Sequence, residues 1–134
     1  MRKSRTIAVV GASKNPGKEA HSVPAFLKDK GYRVIPVNPS AIEILGERAF
    51  PDLLSIPESL AKEVDAVEVF RPSEELPAVA RSVVELSIRT GRKYFFWAQS
   101  GLENEEAKRI LDKAGIGYVM NACMRVVYPI AFRG

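Results

Sequence analysis

Two of the side chains that most often carry chemistry are almost missing from this sequence: among 134 residues there is one cysteine and one histidine. With Cys123 alone, an intrachain disulfide and a thiolate-ligated metal cluster are both excluded. With His21 alone, most zinc sites and most Ser–His–Asp schemes fall away as well. No apolar run approaches the roughly 18 residues that span a bilayer, and the N-terminus lacks the apolar core of a signal peptide. A cytosolic location without a membrane partner is therefore expected. Charge is not concentrated either. Lys plus Arg number 20 against 16 Asp plus Glu, a net of +4, and only Arg2, Lys3 and Arg5 cluster. No zinc finger, basic zipper or aromatic platform accompanies them, so nucleic acid is not expected as a partner. Repeats, low-complexity tracts and linkers are absent, which leaves one domain over residues 1–134.

What is present is an alternation of apolar periods. Hydrophobic residues make up 46% of the chain, enough to offset the entropy of ordering one core. Continuous runs at residues 6–10, 32–37, 65–70 and 94–98, with a short one at 117–120, read as strands buried on both faces. Pro36 is the odd member of the second run and predicts that its last residues leave the sheet. Between the runs lie helical stripes. Val23, Phe26 and Leu27 suggest a helix ending at Gly31, with Pro24 in its first turn. Leu76, Val79, Ala80, Val83 and Ser87 mark another, with Ser73 as cap and Gly91 as terminator. Ala107, Ile110, Leu111 and Ala114 form a third stripe, acidic before it and closed by Lys113 and Gly115. Residues 41–62, interrupted by Pro51 and Pro57, are expected to form only short helical turns. Strict strand–helix alternation implies an α/β fold, a three-layer Rossmann-like sandwich with a parallel sheet of about five strands.

In such sheets ligands bind beyond the carboxyl ends of the strands. The segments there are 11–18, 38–40, 71–73, 99–101 and 121–123. They are rich in Ser, Asn, Gln, Gly, Lys and Arg and nearly free of carboxylates. Backbone N–H groups, hydroxyls and cations suit a phosphate or pyrophosphate, whereas acid–base catalysis lacks its groups. Binding is expected rather than turnover. The first loop keeps only the opening glycine of G-x-G-x-x-G. The second strand ends in Val37-Asn38-Pro39, without the acid that holds an NAD ribose, which disfavours an ordinary NAD site.

The ordered series Val9-Val10-Gly11-Ala12-Ser13-Lys14-Asn15-Pro16, Gly31-Tyr32-Arg33-Val34-Ile35-Pro36-Val37-Asn38-Pro39, Val69-Phe70-Arg71-Pro72-Ser73-Glu74, Trp97-Ala98-Gln99-Ser100-Gly101 and Val119-Met120-Asn121-Ala122-Cys123 resembles the small stand-alone CoA-binding domain proteins. These are relatives of the N-terminal domain of the succinyl-CoA synthetase alpha chain. The resemblance implies coenzyme A as ligand, as CoA or acyl-CoA. It implies a pyrophosphate loop of Gly11, Ala12, Ser13 and Lys14, with Lys18 beside it, and Asn38 and Pro39 flanking the adenosine. Phe70, Arg71 and Ser73 would line the groove after the third strand, and Gln99, Ser100 and Gly101 the pantetheine side. Ser40 stands where those relatives often carry a lysine. Asn121-Ala122-Cys123 replaces their frequent Asp-Arg-Cys, and the downstream domain with the phosphorylated histidine is absent, so ligase activity by this chain alone is not expected. Arg71 reads equally as a structural ion pair. Cys123 reads as a packed apolar residue or as a partner for the CoA thiol. The resemblance points to a non-catalytic or regulatory CoA-binding protein. The alternatives are an NADP-type oxidoreductase or redox module, and a CoA-binding subunit of a multi-chain acyl-CoA ligase. The apolar segment Val126–Phe132 reads as an edge-packing arm or a homodimer contact.

Overall fold

A computed structural model describes residues 5–123. The first apolar run is β1 (Thr6–Val10), followed by helix α1 (Glu19–Asp29) and β2 (Arg33–Val37). A miniature hairpin, β3 (Glu43–Ile44) and β4 (Glu47–Arg48), leads to a 3₁₀ turn at Leu53–Ser55 and the short α2 (Glu58–Ala61). Then come β5 (Ala66–Val69), α3 (Leu76–Thr90), β6 (Phe95–Ala98), α4 (Glu105–Ala114) and β7 (Tyr118–Val119). The five longer-range strands form one sheet in the order β2-β1-β5-β6-β7, every neighbouring pair parallel. The chain moves outward from β1 to β2, then returns across β1 to β5. Strand order thus reverses between β1 and β5, and the crevice above that pair is where such sheets place ligands.

Alternation along the strands divides the core in two. Ile7, Val9, Val34, Ala66 and Trp97 face one side, where Val23 and Leu27 of α1 and Ile44 of the hairpin cover them. Ala8, Ile35, Val67, Val69, Phe96 and Ala98 face the other, against Ala61 of α2, Leu76, Ala80 and Val83 of α3, and Ala107 and Leu111 of α4. The three layers expected from the sequence are therefore present.

Several local expectations need correction. Pro36 does not take β2 out of the sheet: its register partner is Val9, and its carbonyl accepts from Phe50 N–H on the outer side (3.0 Å). The missing proline N–H thus faces the edge, where no sheet strand needs it. Pro24 is not in the first turn of α1, because the helix begins at Glu19 and contains Pro24 well inside it. Ser73 does not cap α3 through its side chain; it opens a 3₁₀ turn, Ser73–Glu75, that runs into the helix. The hairpin was not anticipated. Its turn residues Leu45 and Gly46 both have positive φ (56 and 76), the geometry of a tight two-residue turn. Lys28 of α1 holds it, donating to Leu45 C=O (2.6 Å) and pairing with Glu47 (3.0 Å).

A carboxyl group is buried in the middle of the sheet. Glu68 of β5 lies between Val9 and Trp97, is 0% exposed, and neither carboxyl oxygen has a hydrogen-bond partner among the described residues. Burial disfavours its charged form and pushes its pKa up to about 8. Between the unfolded value of 4.5 and about 8 the native state keeps a proton that the unfolded state releases. Stability should therefore fall as pH rises through that window, by at most about 1.4 kcal/mol per pH unit, and level off above it. Urea denaturation at pH 5, 6.5 and 8 should show this slope in the native protein and its loss in Glu68→Gln.

Candidate functional site

The crevice at the switch point opens where β1 ends. Gly11 leaves the strand with φ +86, and a Cβ there would lie 2.6 Å from the carbonyl oxygen of Phe70. Only glycine allows the crests of β1 and β5 to approach this closely. The Gly11 N–H still completes the ladder to β2, donating to Val37 C=O (2.9 Å).

Beyond Gly11 the loop to α1 is held by its own short polar side chains. Ser13 Oγ accepts from Asn15 N–H (3.0 Å), and Asn15 Oδ1 accepts from Gly17 N–H (2.9 Å). The Ser13 N–H donates to Ala20 C=O (3.1 Å). That acceptor is free because Pro24, four residues on, has no N–H to give it. The proline that looks misplaced in the helix is thus matched to the loop before it. Asn38 closes the arrangement from β2, its amide donating to Ala12 C=O (2.8 Å) and its oxygen accepting from Ser40 N–H (2.7 Å). Among the described residues, the N–H groups of Ala12 and Lys14 and those of Glu19 and Ala20 in the first turn of α1 have no acceptor. Lys14 and Lys18 are exposed and make no ion pair among the described residues. Unfilled N–H groups at a helix N-terminus and nearby ammonium groups are the chemistry that an anion would need.

Next to this loop, on the α3 side, lies a cavity of about 490 Å³, within the range of small-ligand sites. Of the residues singled out from the sequence, Gly11, Asn38, Pro39 and Arg71 line it. Ala12 is buried under the loop, and Ser13, Lys14 and Lys18 stand beside the cavity rather than on its wall. Ser73, Ser100 and Gly101 belong to a neighbouring cluster: the Ser73 hydroxyl accepts from Glu103 N–H (3.1 Å) and donates to Gly101 C=O (3.5 Å). Gly101 N–H donates to Asn121 Oδ1 (2.6 Å), with Asn121 itself at φ 60. Gln99 is buried. Phe70 and Cys123 are partly buried against the opposite, α1-side core. The segment Val126–Phe132 lies outside the described residues.

The wall also contains residues the sequence did not suggest: Val10, Val37, Leu53 and Val79 provide an apolar surface, and Asp52 and Glu75 bring carboxylates. The rim is thus not carboxylate-poor, as its strand-end segments implied. Glu75 reaches back four residues to hold Arg71, accepting from Nε and Nη2 at 3.0 Å each. Asp52 arrives on residues 50–52, which pass alongside β2; Phe50 pairs in parallel with Val37. A carboxylate brought by a one-residue bridge leaves no period in the sequence to find it by.

The CoA binding domain family matches residues 5–129. The chain belongs to that family. It is 39% identical over 130 residues to YneT, an uncharacterized protein of Bacillus subtilis, covering 97% of this chain and 90% of that protein. It is 32% identical over 87 residues to an ADP-forming acetate–CoA ligase of Archaeoglobus fulgidus, which spans 63% of this chain but only 12% of the ligase. The solved structure of the Thermus thermophilus protein cell-free ID.343 superposes with a TM-score of 0.80 at 40% identity, covering 93% of this chain and 88% of that one. For a CoA-binding domain the loop and cavity are chemically apt, offering N–H groups and ammonium groups for a diphosphate and an apolar wall for a nucleoside.

Two measurements check this account of the loop. Gly11→Ala should cost about 2 kcal/mol in chemical denaturation, through strain at positive φ and the contact with Phe70. Pro24→Ala restores a competing N–H for the Ala20 carbonyl. The Ser13 amide should then exchange with solvent roughly fivefold to tenfold faster in native-state hydrogen exchange.

Proposed function

We propose that this CoA-binding domain protein binds CoA or acyl-CoA and does not itself turn it over. The diphosphate sits on the loop of Gly11–Lys18, and the adenosine enters the cavity between Asn38, Pro39 and Val79. The observation that carries this reading is the set of unfilled N–H groups at Ala12, Lys14 and the start of α1, flanked by the unpaired Lys14 and Lys18. Anions are stabilised at such a position by the helix dipole and by direct hydrogen bonds. The absence of turnover is supported by the side chains around the loop. Among the described residues, no group of three His, Cys, Asp or Glu could hold a metal. Glu75 is engaged with Arg71, and the hydroxyl of Ser73 with backbone.

The family's relation to acetate–CoA ligases supports CoA as the ligand, and it leaves a role as a CoA-holding partner of a larger ligase as the second reading. Co-purification with such a chain would favour it. Thermal denaturation tests the first reading directly, since a ligand that binds only the native state raises the midpoint. CoA should raise it, and Lys14→Ala combined with Lys18→Ala should weaken binding on the order of tenfold, with the difference shrinking as salt rises. A shift with NADP and none with CoA would reverse the assignment.

A further inference from the structure

In dinucleotide-binding sheets the ribose hydroxyls are held by an acid at the end of the second strand, and β2 here ends in Val37-Asn38-Pro39. The tertiary structure supplies a carboxylate at the same edge from another part of the chain. Phe50 runs parallel to Val37, with its N–H on Pro36 C=O (3.0 Å) and its C=O on Asn38 N–H (2.8 Å). It acts as a one-residue extension of the sheet beyond β2. Asp52 follows two residues later and lines the cavity together with Asn38, Pro39 and Ser40.

The Asp52 carboxylate is half committed. Oδ1 accepts from Ser55 N–H (2.9 Å) and Ser55 Oγ (2.8 Å), fixing the side chain at the start of the 3₁₀ turn. Oδ2 has no partner. Charge on the wall points the same way: among the described residues Arg71 is its one cation, against Asp52 and Glu75, and Glu75 already holds both Arg71 Nε and Nη2. The free ammonium groups of Lys14 and Lys18 belong to the loop, not to the wall. The site is thus positive where a diphosphate would lie and net negative where the nucleoside would lie.

We infer that Asp52 determines specificity by accepting a hydrogen bond from the ribose 3′-hydroxyl, so that the cavity takes adenosine diphosphate ligands whose 3′-oxygen carries no phosphate in preference to those in which it carries one. A hydroxyl donates to Oδ2; a phosphate in its place meets Asp52 and Glu75 without a free cation to offset it. The inference rests on the nucleotide reading proposed above and narrows its ligand. Dephospho-CoA and CoA differ by that one ribose phosphate, and they share the diphosphate and pantetheine.

Isothermal titration of the whole chain with dephospho-CoA and with CoA is the test. Dephospho-CoA should bind about tenfold more tightly. Asp52→Asn retains an oxygen for Ser55 N–H while removing the charge; it should weaken dephospho-CoA and tighten CoA, closing the gap. Glu75→Gln loosens the hold on Arg71 and should also tighten CoA, which keeps the test open if the first variant fails to melt cooperatively. CoA binding as tightly as dephospho-CoA to the native protein, or a gap unchanged in both variants, overturns the role of Asp52 while leaving the CoA reading in place. Binding of neither compound overturns the CoA reading itself.

Discussion

The contact between the crests of β1 and β5 is the constraint on which the rest of the site depends. Where Gly11 passes the Phe70 carbonyl, a Cβ would come within 2.6 Å. Because the backbones are this close, β1 can be paired on both sides up to its last residue and the chain can still turn sharply towards α1. The crevice opens on this pair because the strand order reverses there. With a longer exit from β1, Asn38 would not reach the Ala12 carbonyl, and the loop N–H groups would not be presented at the start of α1. Glycine at this position is a requirement of two backbones meeting, not of a ligand.

A second dependence links helix α1 to the loop before it. An interior proline leaves one helical carbonyl without its donor, and Ala20 is that carbonyl. The Ser13 N–H takes the place of the missing donor. Local irregularity in the helix and order in the loop are therefore two sides of one hydrogen bond. The polar residues of the loop bond one another, and among the described residues the N–H groups of Ala12, Lys14, Glu19 and Ala20 are left without an acceptor. Such N–H groups are what the proposed diphosphate would need.

Much of this was visible in the sequence, for identifiable reasons. The strands are short uninterrupted apolar runs, and β1, β5 and β6 are buried on both faces, so their period could hardly be misread. Helix α4 was legible in its stripe, its acidic start and Gly115 at φ 72. The hairpin at residues 43–48 was not. Its strands are two residues each, too short to show a period, and Leu-Gly is not a usual turn pair. Pro36 and Pro24 were misplaced because propensity describes what a residue cannot donate, whereas the sheet edge and the loop decide whether that donor is needed.

The amino-acid sequence by itself determined the class of fold, the alternation of its elements and the loop that follows β1, because these follow from apolar period and turn chemistry along neighbouring residues. It also carried the family, through an ordered set of short segments. What only the tertiary structure decided is the composition of the cavity wall. Asp52 joins Asn38 there because Phe50, two residues before it, forms a single parallel bridge to Val37. Proximity between distant segments is created by packing, and no local pattern encodes it.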